Sequence, residues 1–257
     1  MTEGPSARYK ALKVFESVGG CILKDIFVRS RKIRVDPKYL VGKRFDSFDT
    51  WGKNIVFFFE SFAIRIHLMM YGTIHIYDRE EQLAKPERLV RLLLLFNEKK
   101  VVVYNAPIIE IDYKHRIVEE LKRMLGEDPL RSDWDPNRAI RLILRHKNRS
   151  IGDVLLDQRV IAGIGNILRN EILFRARIHP DRLVRDLSYE EVERIVKVAK
   201  DLSEEFFKRR LQGKRIGPIL MVYNKSGKPC PVCGTKIRYY RQKPNNRRTF
   251  YCPTCQK

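Results

Sequence analysis

The chain has 257 residues, 44% hydrophobic and 32% charged, which excludes a disordered chain or a fibre. That length permits one or two domains plus a small module. Lysine and arginine number 52 against 31 acidic residues, a net charge of +21, and such an excess points to a polyanion, most simply nucleic acid held by its phosphates.

The N-terminus, MTEGPSARYK, has no apolar h-region, so no secretory signal is expected. No apolar run approaches the roughly 18 residues of a membrane span. A soluble, intracellular protein without a membrane partner is the expectation. Residues 5–18 read as a helix, with Ala7, Ala11, Val14, Phe15 and Val18 near a 3.6-residue period and Gly19-Gly20 as its stop. Strand-like runs follow at 22–28, 54–59, 62–68, 73–77, 90–96 and 100–104, rich in Val, Ile, Phe and Tyr and separated by turn residues. They suggest a two-layer β-sandwich. From Lys114 to Leu211 helical patterns dominate, including 138–147, 187–202 and 203–210. Lys225 to Pro229 is a short flexible entry into the C-terminal segment. The expected class is α+β multidomain: an N-terminal helix with a β-sandwich (2–115), a helical domain (116–224) and a zinc ribbon (225–257).

The ribbon rests on four cysteines. Cys230-x2-Cys233 and Cys252-x2-Cys255 lie 18 residues apart. In an intracellular chain this spacing reads as one tetrahedral thiolate zinc site rather than as disulfides. A redox dithiol would need only one pair. Cys21 stands alone and reads as a small buried hydrophobe.

Residues 150–180 are the most informative stretch. Ser150 and Asp153 have capping-box spacing, and Asn166 is an expected N-cap. Leu168, Ile172 and Ala176 then share one helix face. The order is helix, two turns, helix. The central IAGIGN is glycine-rich and ends at a helix N-terminus, a suitable anion site for a DNA phosphate. An ordinary helical hairpin is the alternative.

Several motifs carry a resemblance. They are TEGP at residues 2–5, WGKN around Lys53, HLMMYG at 67–72, LLDQRVIAGIGNILRNEILFRARIHP at 155–180, and GKPCPVCG with RRTFYCPTCQ around the cysteines. Together they resemble the formamidopyrimidine-DNA glycosylase and endonuclease VIII family of base-excision repair enzymes. The resemblance runs from residue 2 to residue 256. It implies a β-sandwich, a helix-two-turn-helix domain and a finger, with damaged DNA in the cleft between the two halves and a monomeric enzyme.

The resemblance also implies roles. The nucleophile would be the α-amine of residue 2, freed by removal of Met1; here it is Thr2, where the family usually has proline. Glu3 matches the catalytic glutamate, a proton shuttle. Ser6 stands where another glutamate is common. Lys53 matches a phosphate-binding lysine and lends charge near the amine. Arg247 matches the finger arginine that grips flanking phosphates, with Arg248 as the rival one residue on. Asn166 matches a further phosphate ligand. Met69, Met70 and Tyr71 occupy the wedge position that fills the gap left by a flipped base; packing at a strand end is their alternative. His67 reads as structural.

The loop at 104–112, YNAPIIEID, lacks the arginine–phenylalanine pair of the formamidopyrimidine branch, and the segment 212–228 is short. Endonuclease VIII is the better match, which implies oxidised pyrimidines as substrates. The alternatives are an 8-oxoguanine-type glycosylase and a damage-binding protein that lost catalysis through Thr2 and Ser6. A zinc-ribbon RNA-binding protein would explain the charge and cysteines but not the other motifs.

Overall fold

The computed structural model describes residues 2–257. They divide into two compact units, one of residue 2 with 6–123 and one of residues 3–5 with 124–257. No helix among the described residues is long and apolar enough to cross a membrane.

The first unit begins with helix α1 (Gly4–Val18), whose Ala7, Ala11, Val14 and Val18 form one buried stripe. Gly19 follows it because a Cβ there would stand 2.5 Å from the Phe15 carbonyl oxygen. The strands are β1 (Asp25–Val28), β2 (Lys32–Ile33), β3 (Ser47–Trp51), β4 (Asn54–Phe59), β5 (Phe62–His67), β6 (Thr73–Asp78), β7 (Val90–Leu95), β8 (Lys99–Tyr104) and β9 (Ile108–Tyr113). They form a four-stranded sheet, β1-β7-β8-β6, and a five-stranded sheet, β2-β9-β5-β4-β3. Phe45, Phe57, Phe59, Phe96, Ile64, Leu92 and Val103 pack with the α1 stripe in one core. Phe45 lies 5.0 Å from Phe57 and 5.1 Å from Phe59 between ring centroids. Helix α2 (Lys114–Met124) closes this unit.

Strands β2, β3 and β9 escape the sequence pattern. In β9 the buried residues include Glu110 and Asp112. Arg65, opposite Glu110 on β5, binds it at 2.7 Å, while Lys32 reaches Glu110 at 3.0 Å and Arg34 reaches Asp112 at 3.3 Å. An ion-pair network thus covers part of a sheet face where the pattern rule expects apolar residues. Cys21 is another correction: it is exposed, because it lies just past the end of α1.

The second unit holds α3 (Pro136–Leu144), α4 (Ile151–Val154), α5 (Asn166–Ala176) and α6 (Tyr189–Leu211) around a core of Ile140, Ile143, Leu155, Ile161, Ile172, Val196 and Phe206. Helix α6 is continuous, where the sequence suggested two pieces. Ser188 and Glu191 form its capping box, and Ser203 lies buried within it rather than breaking it. The expected Ser150 capping box is absent: Ser150 makes no side-chain cap. Asp153 instead binds Arg149 at 2.8 Å and Asn245 at 2.6 Å. The C-terminal segment adds the hairpin of β10 (Arg238–Gln242) and β11 (Arg247–Tyr251), with a small core of Phe174, Val222, Ile237 and Phe250.

Candidate nucleic-acid interface and metal centre

In the β unit, Thr2 is buried and its nitrogen donates to the Met69 carbonyl at 3.5 Å. The expected removal of Met1 lies outside the described residues. Met69, Met70 and Tyr71 form the turn between β5 and β6. All three side chains are exposed, Tyr71 at 78%. The turn is anchored from below by the buried Leu68, whose carbonyl accepts from Gly72 at 2.8 Å. Gly72 is required there, since a Cβ would meet that oxygen at 2.5 Å. Met69 has φ +49°, a left-handed conformation uncommon for a residue with a side chain. The turn thus presents three exposed apolar side chains on a fixed base.

His67 ends β5 beside this turn. Burial, then the charges of Lys53 and Arg65, lower its pKa to about 4. Lys53, in the β3–β4 turn, is thus close enough to act on His67 electrostatically. Next to Tyr71 lies a concavity of about 510 Å³ lined by Arg88, Arg91, Asn105, Ala106 and Pro107. Neither arginine is paired with a carboxylate among the described residues, and the buried Arg91 Nε has no hydrogen-bond partner. Sequence reading overlooked both, because they precede the loop at 104–112 by many residues and only the β7–β8 pairing brings them to it.

In the helical unit the glycine-rich loop departs from expectation. The N-cap of α5 is Gly165, and Asn166 is the first helical residue. The anion at this helix start is the protein's own: the Glu3 carboxylate accepts from Ile167 N–H at 2.7 Å and Leu168 N–H at 3.1 Å. It is 1% exposed. These two amides are therefore not available to a DNA phosphate. Gly165 has to lack a side chain, since a Cβ would stand 2.6 Å from the Glu3 Oε1. The helix dipole complements the carboxylate charge.

The polar face of α5 is buried too. Asn166 Nδ2 donates to the Arg248 carbonyl at 2.9 Å, and Arg169 donates to the same oxygen at 3.1 Å, to Thr249 Oγ1 at 2.7 Å and to Gln242 Oε1 at 2.7 Å. Asn170 Oδ1 accepts from Phe250 N–H at 2.7 Å. Glu171 accepts from the amides of Met221, Val222 and Tyr223 at 2.7, 3.0 and 2.8 Å. Arg169 has no carboxylate partner among the described residues, and burial lowers its pKa to about 10. These side chains hold β11 and the segment leading into the ribbon. Sequence reading identified only the apolar face; the run NxxRNE was the available signal.

Arg247 is exposed and shares a strand face with the buried Thr249. Arg248 lies on the other face, over the rings of Tyr239 and Phe250 at 5.7 and 5.3 Å. Arg247 itself has no such ring contact among the described residues.

The four ribbon cysteines converge, their Sγ atoms all within 4.8 Å of one another. Cys230 and Cys255 are 3.9 Å apart, and Cys233 and Cys252 are 3.4 Å apart. A zinc ion with Zn–S bonds of about 2.3 Å sets tetrahedral S···S edges of about 3.8 Å, so the donor set fits one structural zinc. Gly234, at φ +75°, makes the knuckle after Cys233. The structure therefore gathers Thr2, Lys53 and Met69–Tyr71 in the β unit, and Glu3, Asn166, Arg247 and the cysteines in the helical unit.

These parts define a three-part fold of the kind that contains DNA glycosylases. The Lactococcus lactis Fpg in complex with abasic-site DNA matches it with a TM-score of 0.88 at 21% identity, covering 99% of both chains. Three family models match: the formamidopyrimidine-DNA glycosylase N-terminal domain at residues 1–107, its H2TH domain at 125–215, and the zinc finger found in FPG and IleRS at 227–257. A probable endonuclease 8 2 of Streptomyces coelicolor is 31% identical over 266 residues, covering 100% of this chain and 94% of that protein. A formamidopyrimidine-DNA glycosylase of Bacillus cereus is 31% identical, covering 93% of each. The endonuclease 8-like 3 of Xenopus laevis is 33% identical over 86% of this chain, which spans 36% of that longer protein. The chain belongs to the formamidopyrimidine-DNA glycosylase and endonuclease VIII family.

Proposed function

We propose that the protein is a base-excision DNA glycosylase with abasic-site lyase activity, acting on damaged DNA through the α-amine of Thr2. The observation that carries this reading is the N-terminus itself. Thr2 is buried with its nitrogen on the Met69 carbonyl, and Glu3 is fixed on two helix amides, so the first residues are built into the protein rather than trailing from it.

Once Met1 is removed, a free α-amine with a reference pKa of about 7.7–8.0 is partly neutral near physiological pH. Its lone pair attacks C1′ of the damaged nucleoside. The glycosidic bond breaks and its electron pair leaves with the base, which takes up a proton. The attacking amine gives up a proton to the Glu3 carboxylate, which passes it to O4′ as the sugar ring opens, giving a Schiff base between Thr2 and C1′. Loss of a C2′ proton then expels the 3′ phosphate, and water hydrolyses the imine to release the enzyme. Lys53, Asn166 and Arg247 are assigned to backbone phosphates around the flipped nucleotide; the Asn166 side-chain amide also donates to the Arg248 carbonyl at 2.9 Å. Met69, Met70 and Tyr71 fill the vacated stack, with Arg88 and Arg91 beside them as further cations for DNA.

The substrates we favour are oxidised pyrimidines, because the loop at 104–112 lacks the arginine–phenylalanine pair and the segment 212–228 is short. Robust excision of 8-oxoguanine opposite cytosine would overturn that preference. The protein is taken to act as an intracellular monomer, where thiolates stay reduced for zinc. Borohydride trapping on abasic-site DNA, with mass mapping of the cross-linked peptide, tests the mechanism. A cross-link on Thr2 is expected. A cross-link on Lys53 would move the nucleophile, and salt-sensitive binding without any cross-link would leave only a damage-binding protein.

A further inference from the structure

We propose that His67 is a positioning residue for the amine of Thr2, acting through the backbone of Met69. The inference rests on the reading of Thr2 as the nucleophile. His67 Nδ1 accepts from Met69 N–H at 3.1 Å, and the Met69 carbonyl accepts from the Thr2 nitrogen at 3.5 Å. One residue therefore links the ring to the reactive nitrogen. That residue is Met69, which stands at φ +49° and would relax toward ordinary backbone angles unless held. Glycine would adopt this angle freely, but it would remove one of the three apolar side chains at the turn.

His67 is well placed to hold it. The residue is the last of β5, paired with Asn54 on β4 and with Ile108 on β9, so its backbone is fixed on both sides. A side-chain acceptor that takes the N–H two residues on reproduces an Asx-turn, with an imidazole in place of a carboxamide. The acceptor must be an unprotonated nitrogen. The half-buried ring, facing the charges of Lys53 and Arg65, remains neutral at physiological pH. Once Met1 is removed, the same contact would use one N–H of the amine and leave its lone pair for C1′. Small displacements of a nucleophile have large kinetic effects, of the order of a hundred-fold for about 1 Å.

The test is single-turnover borohydride trapping on abasic-site DNA for wild type, His67→Phe, His67→Gln and His67→Asn. Each protein is also measured for binding to DNA carrying a tetrahydrofuran abasic analogue and for thermal unfolding. Asparagine at this position makes the same turn and is expected to trap within about two-fold of wild type. Phenylalanine, which has no acceptor, is expected to slow trapping at least about ten-fold beyond any loss of affinity for the analogue. If His67→Phe does not fold, the other two variants decide: glutamine, whose acceptor is one methylene too far, should trap about five-fold more slowly than asparagine. Trapping by a folded His67→Phe at the wild-type rate, or equal rates for glutamine and asparagine, would overturn the inference. If wild type cross-links elsewhere than Thr2, the proposed mechanism fails instead, and that outcome is read from wild type alone.

Discussion

The β5–β6 turn and the first turns of α5 invert the usual placement of side chains in opposite ways. At the turn, Met69, Met70 and Tyr71 stand in solvent on a backbone fixed by Leu68, Gly72 and His67. On α5, Asn166, Arg169, Asn170 and Glu171 are buried with their polar atoms on backbone groups of β11 and of residues 221–223. Exposed apolar side chains add little to the stability of the isolated protein, which is what the proposed wedge role requires of them. Buried polar side chains are the reverse case: each replaces water for a backbone group, and removing one leaves several groups unsatisfied. One region leaves its side chains unpacked, the other fixes them on several partners at once.

Mutation can break or sharpen this contrast. The largest effect is expected at Glu171. Glu171→Ala removes the acceptor for three amides and should lower stability by about 3–5 kcal/mol, measured by denaturant unfolding. A loss under about 1 kcal/mol would mean that water replaces the carboxylate. Next comes Gly165→Ala, whose new methyl displaces Glu3; about 1–3 kcal/mol should be lost, and strand cleavage should fall further than stability alone explains. A smaller effect concerns pH. His67 titrates near 4 when folded against about 6.5 when free, so between those values the unfolded chain binds more protons. Stability therefore declines as pH falls from about 6.5 toward 4, by an order of 1–2 kcal/mol for this partly exposed ring. His75, His146 and His179 are shifted the same way, mainly by burial, and add to the slope. Replacing His67 with Asn should flatten it, as read from urea midpoints across that range. Least affected in stability is Tyr71→Ala, within about 0.5 kcal/mol. Its affinity for abasic-site DNA should nonetheless drop by about 1–3 kcal/mol, the worth of a stacked base. A large stability loss with unchanged affinity would place Tyr71 on the structural side of the comparison.

The extent to which sequence predicts this architecture follows from the same contrast. Helix α1, strands β4 to β8 and the cysteine cluster obey periodicity or spacing, and the residues themselves carry that information. Strand β9 does not, because Glu110 and Asp112 enter the sheet only with Arg65, Arg34 and Lys32 from distant segments. The helix cap of α5 was misread for a similar reason. Asn166 has the right chemistry for a local cap, but the capping group is Glu3, more than 160 residues away in sequence. The site residues were proposed from motifs, whereas the contacts of Gly165, His67, Arg169 and Glu171 depend on geometry: the run NxxRNE marks a polar helix face but not what it holds.

The turn also carries a chemical liability. Met69 and Met70 hold two thioethers half in solvent at the tip of the β5–β6 turn. Peroxides convert such groups to sulfoxides, which are polar and chiral. Because these side chains contribute little to the core, the oxidised protein would keep its fold while losing the apolar surface assigned to the duplex. Oxidative stress, the condition that generates oxidised bases, would then blunt the enzyme without unfolding it, and a sulfoxide reductase would restore it.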